Sequence, residues 1–179
     1  QSLANMGLVS ISHGERARVK ELTAQSIFRQ VDQAAHIMLQ RSSDSLAHLK
    51  NARLFFERGM VREAAAKASR EDVALLRATV EEQRSLLGQA EAFMAADMRL
   101  HTRIAAISGN PIFVSVSEAM LGWLKAYHTE LLFWSGKETH TLAEHTEIID
   151  AIERHDADAA EAAMARHMQR SSALYGLKG

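Results

Sequence analysis

The chain contains no cysteine, one proline and nine glycines in 179 residues, and its aromatic content is 6%. Without cysteine there are no disulfides and no thiolate ligands, so any metal site must be built from histidine and carboxylate. One proline, Pro111, and few glycines leave long stretches without helix breakers, which favours helices over strands and turns. Charge of one sign is lacking too. Twenty-one basic residues stand against 22 acidic ones, for a formal net charge of −1, and no block of like charge stands out. The chain therefore has no electrostatic footprint of a nucleic-acid binder of its own. No apolar run approaches the roughly 18 residues that would suggest a membrane helix. No secretory signal pattern is evident, and a cytoplasmic location with no membrane partner is the expectation.

What is present is helical periodicity. A 3.6-residue period runs through Ile27, Val31, Ala34, Ala35 and Met38 from about Thr23 to Gln40, then through Leu46, Leu49, Leu54, Phe55 and Val61 to about Lys67. Ser42-Ser43-Asp44 offers caps for the second of these, and Ser69 with Asp72 forms a capping-box pattern for a third helix reaching about Gly88. A fourth holds Phe93, Met94, Asp97, His101, Ile104 and Ala105. Gly109-Asn110-Pro111 then ends it and opens a fifth, which extends to Trp134. Thr139 to Arg154 makes a sixth, and Asp156 caps a seventh that ends near Tyr175. The expected fold is all-α, an antiparallel bundle of six to seven helices over residues 23–179. Residues 1–22 differ. Gly7 to Ile11 and Ala17 to Val19 alternate around a His13-Gly14 turn signal, reading as a β-hairpin. A hairpin is not stable alone, so its partner is expected to be missing, and the absence of an initial methionine fits a fragment or processed product.

Four polar residues stand where such a bundle buries leucine or alanine. Asp97 and His101, four apart, share a helix face; His145 leads the row Ile148, Ile149, Ile152; His167 continues the row Ala160, Ala163, Met164. A single inward histidine is ordinarily a core residue bonded to a carbonyl. Four such positions on three helices are harder to satisfy that way, because buried polar groups are costly unless paired or metal-bound. Three imidazoles and a carboxylate suit zinc and could also hold nickel, cobalt or manganese. The histidines at 13, 36, 48, 128, 140 and 155 lack this alignment and read as solvated. Arg53 and Glu57 fit either a surface i,i+4 ion pair or an inward arginine gripping a carboxylate, and spacing does not choose. No HExxH, Gly-rich phosphate loop or GxSxG occurs. A metal-dependent enzyme acting on a small carboxylate, and a purely structural helical dimer, are the alternatives left open.

The run Asp97-x3-His101, the Ser108-Gly109-Asn110-Pro111 break, and His145 and His167 on late helices together resemble the FCD effector domain of GntR-family transcription regulators, over about residues 40 to 175. The piece from Gly7 to Val19 is similar to the wing of that family's winged helix-turn-helix. Gly14 to Val19, Arg53-Leu54-Phe55-Phe56-Glu57, and Gly109 to Phe113 with Trp123 look most like the family's sialic-acid-responsive repressors, whereas Lys125 to Thr139 departs from them. The resemblance implies a homodimer whose divalent metal, most simply zinc, is held by Asp97, His101, His145 and His167. It implies a small carboxylate effector, either a sugar acid such as sialic acid or a hydroxy acid, with Arg53 and Asn110 as effector-binding residues. Operator DNA would be reached only through an N-terminal domain absent here.

Overall fold

A computed structural model of the chain describes residues 9–10, 16–19, 35, 44–127 and 138–173. Six long helices make up nearly all of it: α1 Ser45–Lys67, α2 Arg70–Ser85, α3 Ala90–Ile107, α4 Pro111–Tyr127, α5 Glu138–Glu153 and α6 Ala157–Ala173. A short antiparallel pair precedes them, β1 Val9–Ser10 and β2 Arg18–Val19, with Val9 opposite Val19 and Ser10 opposite Arg18. The expected hairpin is thus present as a two-residue ladder. The helix expected over Thr23–Gln40 lies outside the described residues except for Ala35, which is helical. The extension of the fifth predicted helix beyond Tyr127 and the C-terminal end near Tyr175 also lie outside them.

Local chemistry sets the helix boundaries. Ser69 accepts a hydrogen bond from the Asp72 amide at 3.1 Å, and Asp72 accepts from the Ser69 amide at 2.9 Å, closing the capping box at the start of α2. Gly109 follows α3 with φ +74°, the left-handed conformation that costs glycine least. Asn110 Oδ1 then takes the Ile112 amide at 3.0 Å, and Pro111 occupies the first position of α4, where its missing N–H is not needed. Asp156 caps α6 by accepting from the Ala159 amide at 3.0 Å.

The helix α1 packs against α3, α4, α5 and α6, with its closest partnership to α6. Both bring small buried residues to the main core, Ala64 and Ala65 on one and Ala160 and Ala163 on the other, which permits close approach of two backbones. That core also holds Leu76, Leu100, Ile104, Ile148, Ile152 and Met164. A second, methionine-rich cluster of Leu49, Met60, Met94, Met120 and Leu124 joins α1, α3 and α4.

One expectation is corrected. Phe55, read as part of the core stripe of α1, is 75% exposed. The inward face of α1 runs through Leu49, Arg53, Glu57, Met60, Val61 and Ala64, so two charged residues occupy core positions; of the expected stripe Leu49 and Val61 are buried, Leu46 and Leu54 pack half-buried beside them, and Phe55 faces out. Ile152→Ala, at a fully enclosed position, is expected to cost about 2–5 kcal/mol through lost burial and a residual cavity. Ser69→Ala is expected to cost about 1 kcal/mol through its cap alone. Urea melts of the two variants check the ranking.

Candidate metal centre

The four polar residues picked from helical spacing converge. One donor atom from each of Asp97, His101, His145 and His167 lies within 4.8 Å of the others. The ring centroids are 5.8 Å apart for His101 and His145, 5.5 Å for His101 and His167, and 4.8 Å for His145 and His167. All three imidazole side chains are at most 3% exposed, while the Asp97 side chain keeps 18%. The cluster is therefore open to solvent only on the aspartate side. Helix α3 supplies two members one turn apart, and α5 and α6 supply one each.

Each imidazole is oriented from behind by a residue on another helix. His145 Nδ1 lies 2.9 Å from Gln83 Oε1 on α2. His167 Nδ1 lies 2.7 Å from Glu144 Oε2 on α5. His101 Nδ1 lies 3.0 Å from Glu57 Oε2 on α1, a short contact bent away from hydrogen-bond alignment. These are acceptors, so the ring hydrogen belongs on Nδ1 and each Nε2 presents a lone pair. Gln83 fixes two ligands at once, because its amide nitrogen donates to Asp97 Oδ1 at 3.4 Å. Arginines complete two of the three supports: Arg53 Nε meets Glu57 Oε1 at 3.4 Å, and Arg170 binds Glu144 through both its Nε and Nη2.

The electrostatics follow from this arrangement. Burial lowers the His145 pKa far below the usual range despite the nearby Asp97, and burial likewise lowers His167 against the pull of Glu144. Both rings are therefore neutral near pH 7, the form that binds metal. Burial alone raises a carboxyl, but the imidazoles of His145, His101 and His167, with Arg53, hold Asp97 below its ordinary value. The same opposition leaves Glu57 at about 2, with His101 and Arg53 outweighing its burial, and Glu144 at about 2, with His167 and Arg170 doing so.

The front of the cluster is then a set of facing lone pairs. His145 Nε2 stands 3.3 Å from Asp97 Oδ1, and His101 Nε2 stands 3.9 Å from Asp97 Oδ2. The Nε2 atoms of His101 and His145 are buried with no hydrogen-bond partner among the described residues. Two lone pairs that close repel unless a cation lies between them. A tetrahedral ion with ligand distances of about 2.0–2.1 Å sets ligand–ligand edges of roughly 3.4 Å, near the His145–Asp97 spacing. The residues present fit a divalent ion.

The other candidates separate. Arg53 is 7% exposed and makes the i,i+4 pair with Glu57, so the pair that spacing offered is formed, inside the bundle and not on its surface. Its Nη2 is buried with no hydrogen-bond partner among the described residues. Asn110 is not brought to the cluster; its side chain caps α4, nine residues beyond His101. A groove of about 500 Å³ lined by Phe55, Phe56, Met60 and Phe113 contains none of the four ligands. His48 and His140 are exposed as expected, whereas His155 uses its Nδ1 on the Ala65 carbonyl at 2.8 Å. Glu57, Gln83, Glu144 and Arg170 were missed as functional residues. The signal that could have found the first two is their place on the buried stripes of α1 and α2.

A profile of the FCD domain matches residues 48–170. The chain belongs to the FCD domain family. This FCD domain is 36% identical over 176 residues to the HTH-type transcriptional repressor NanR of Escherichia coli K12, covering 97% of the chain and 66% of the repressor. It is 35% identical over 180 residues to NanR of Salmonella schwarzengrund, covering 99% and 68%. The chain thus spans about two thirds of the length of these relatives. Among solved structures, Streptococcus agalactiae GntR superposes with a TM-score of 0.71 at 20% identity, covering 96% of this chain and 76% of that one. Escherichia coli McbR/YncC gives 0.68 at 14% identity, covering 99% and 81%. The FCD domain is the effector domain of GntR-family regulators and its relatives are named repressors, so the enzyme alternative is set aside.

A pH prediction follows for the metal-free domain. Histidines at 145 and 167 bind protons less readily folded than unfolded, where the reference value is 6.5, so stability falls as pH drops below about 6.5. Glu57 and Glu144 extend the loss from about 4.5 towards 2, because the unfolded chain takes their protons first. Melting temperatures of chelated protein should decline steadily below pH 6.5; a flat profile from pH 7 to pH 5 contradicts the burial of these rings as neutral species.

Proposed function

We propose that this chain is the effector-sensing half of a bacterial GntR-family transcription repressor, and that it binds a small carboxylate at a divalent metal. The supporting observation is the pairing of two features in one buried site. Three imidazoles and Asp97 direct lone pairs to a common point, and beside them the Arg53 guanidinium has a buried Nη2 without a hydrogen-bond partner among the described residues. Asp97, His101, His145 and His167 would hold the ion, with zinc favoured by a nitrogen-rich donor set and nickel or manganese accommodated by the same ligands. A bound ion supplies a strong, directional contact for one carboxylate oxygen. Arg53 supplies a second, through a planar donor fork that matches a carboxylate.

The regulatory step is linkage. An effector that prefers one arrangement of a homodimer changes DNA affinity by the difference in its affinity for the two arrangements, typically about 1–3 kcal/mol. In this reading operator contact is made by a winged domain preceding Gln1, to which the β1–β2 ladder belongs, and the protein acts in the cytoplasm. The effector class is a sugar acid or a hydroxy acid, with sialic acid the first to try because Arg53 to Glu57 and Gly109 to Phe113 resemble the family's sialic-acid-responsive repressors.

Elemental analysis before and after chelation, joined to thermal melts with a panel of sugar acids and hydroxy acids, tests the reading. About one metal per chain is expected, with a melting temperature raised by one acid only in the metal-loaded protein. His145→Ala and His167→Ala should each weaken metal and acid binding together. A chain that takes up no divalent metal after exposure to zinc, nickel and manganese would falsify the proposal.

A further inference from the structure

We propose that Glu57 couples the metal to the carboxylate grip, acting as a positioning residue shared by a metal ligand and the effector arginine. The inference rests on the proposed function and extends it to a residue outside both the ligand set and the effector contact. Glu57 is fully enclosed and divides its two oxygens, Oε2 to His101 Nδ1 at 3.0 Å and Oε1 to Arg53 Nε at 3.4 Å. One carboxylate thus stands between a ring that would bind the ion through Nε2 and a guanidinium whose Nη2 has no hydrogen-bond partner among the described residues.

The neighbouring triad shows what an uncoupled arrangement looks like. Glu144 also joins a ligand histidine, His167, to an arginine, Arg170, but there the arginine is engaged twice on the same carboxylate and again on Thr141 Oγ1 at 3.1 Å. That arginine is a scaffold. Gln83, behind His145, is neutral and touches no arginine among its described bonds. The two arginines differ in how firmly they are engaged: among the described residues Arg53 makes one hydrogen bond to its carboxylate, at 3.4 Å, whereas Arg170 makes two to Glu144 and one to Thr141.

Charge then moves in a defined direction. An ion on His101 Nε2 would make the Nδ1 side of the ring more positive and would draw the Glu57 charge, 3.0 Å away, towards the ring. Arg53 is left less neutralised and takes an external carboxylate more readily. Conversely, a carboxylate on Arg53 loosens its hold on Glu57, which strengthens the support behind His101. Metal and acid therefore favour each other through Glu57, in addition to any direct contact between them.

Glu57→Gln removes the charge and keeps the shape, and it should shift the two affinities in opposite directions. Zinc alone, titrated by competition with a chromophoric chelator, should bind about tenfold or more weakly. Acetate, titrated into the zinc-free protein and followed at the Arg53 guanidinium resonances, should bind more tightly than in the wild type, because the arginine has lost its internal counterion. Unchanged zinc affinity, or zinc and acetate weakening together, overturns the coupling. Glu57→Asp, which keeps the charge but is too short to span both partners, should also weaken zinc, and it covers the case of a glutamine variant that does not fold. Nitrogen-15 spectra of the metal-free wild type give an independent reading: the His101 hydrogen is expected on Nδ1, and finding it on Nε2 overturns the proposal. A wild-type chain that binds no zinc overturns the proposed function and the coupling with it, whereas zinc uptake equal in wild type and Glu57→Gln overturns the coupling alone.

Discussion

The lone pairs of His145 Nε2 and Asp97 Oδ1 face each other across 3.3 Å inside a helical core, and the surrounding structure is arranged to make that position tenable. An imidazole left to itself would turn its ring or take a proton. Neither route is open here. Gln83 holds the far side of the ring, and burial keeps the proton off. The same holds for His167, fixed by Glu144. Polar groups on five helices are thereby committed to one point, which explains why Arg53, Glu57 and Gln83 sit where a bundle of this size would otherwise place leucine.

How much of this could be read in advance depended on the background against which each polar residue stood. On α3, α5 and α6 the ligands interrupt clean apolar rows, and a single inward histidine among isoleucines or alanines is conspicuous. On α1 the row itself is broken. Arg53 and Glu57 take two successive inward positions, so the apolar row between Leu49 and Met60 is filled only by its neighbours, Leu54 at the edge of the core and Phe55 on the outside. Periodicity fails there because the protein has replaced hydrophobic burial with paired charge, a substitution that sites make and cores do not. Gln83 was hidden differently. A lone glutamine at the end of an amphipathic helix has no spacing partner, and only the position of His145, 62 residues later, gives it meaning.

The turns were more legible than the packing. Ser69 with Asp72, Gly109 before Asn110-Pro111, and Asp156 each act through contacts within four residues, so local sequence determines them. What lies between depends on partners distant in the chain. The alanines of α1 and α6 are ordinary helix formers in isolation, and only the pairing of these two helices turns them into a close-packed seam. On the surface of the same seam Arg58 and Arg62 reach Glu161, and Arg62 also reaches Asp158. Such exposed pairs contribute little each. Their use is to fix the register in which α6 lies along α1, and hence the height at which His167 enters the core.

His155 gives the pair α5 and α6 a mechanical character. It sits at the turn between them in a left-handed conformation, φ 55°, and its ring is fastened to the Ala65 carbonyl on α1. A hairpin pinned at its bend is held at one end, and at the other Arg170 on α6 fastens it again, to Glu144 and Thr141 on α5. Towards that second end lie His145 and His167, about ten and twelve residues from the bend, or some 15–18 Å along the helices. The two rings are therefore set between two fastenings, and their separation is held from both sides, as a span is held between two piers.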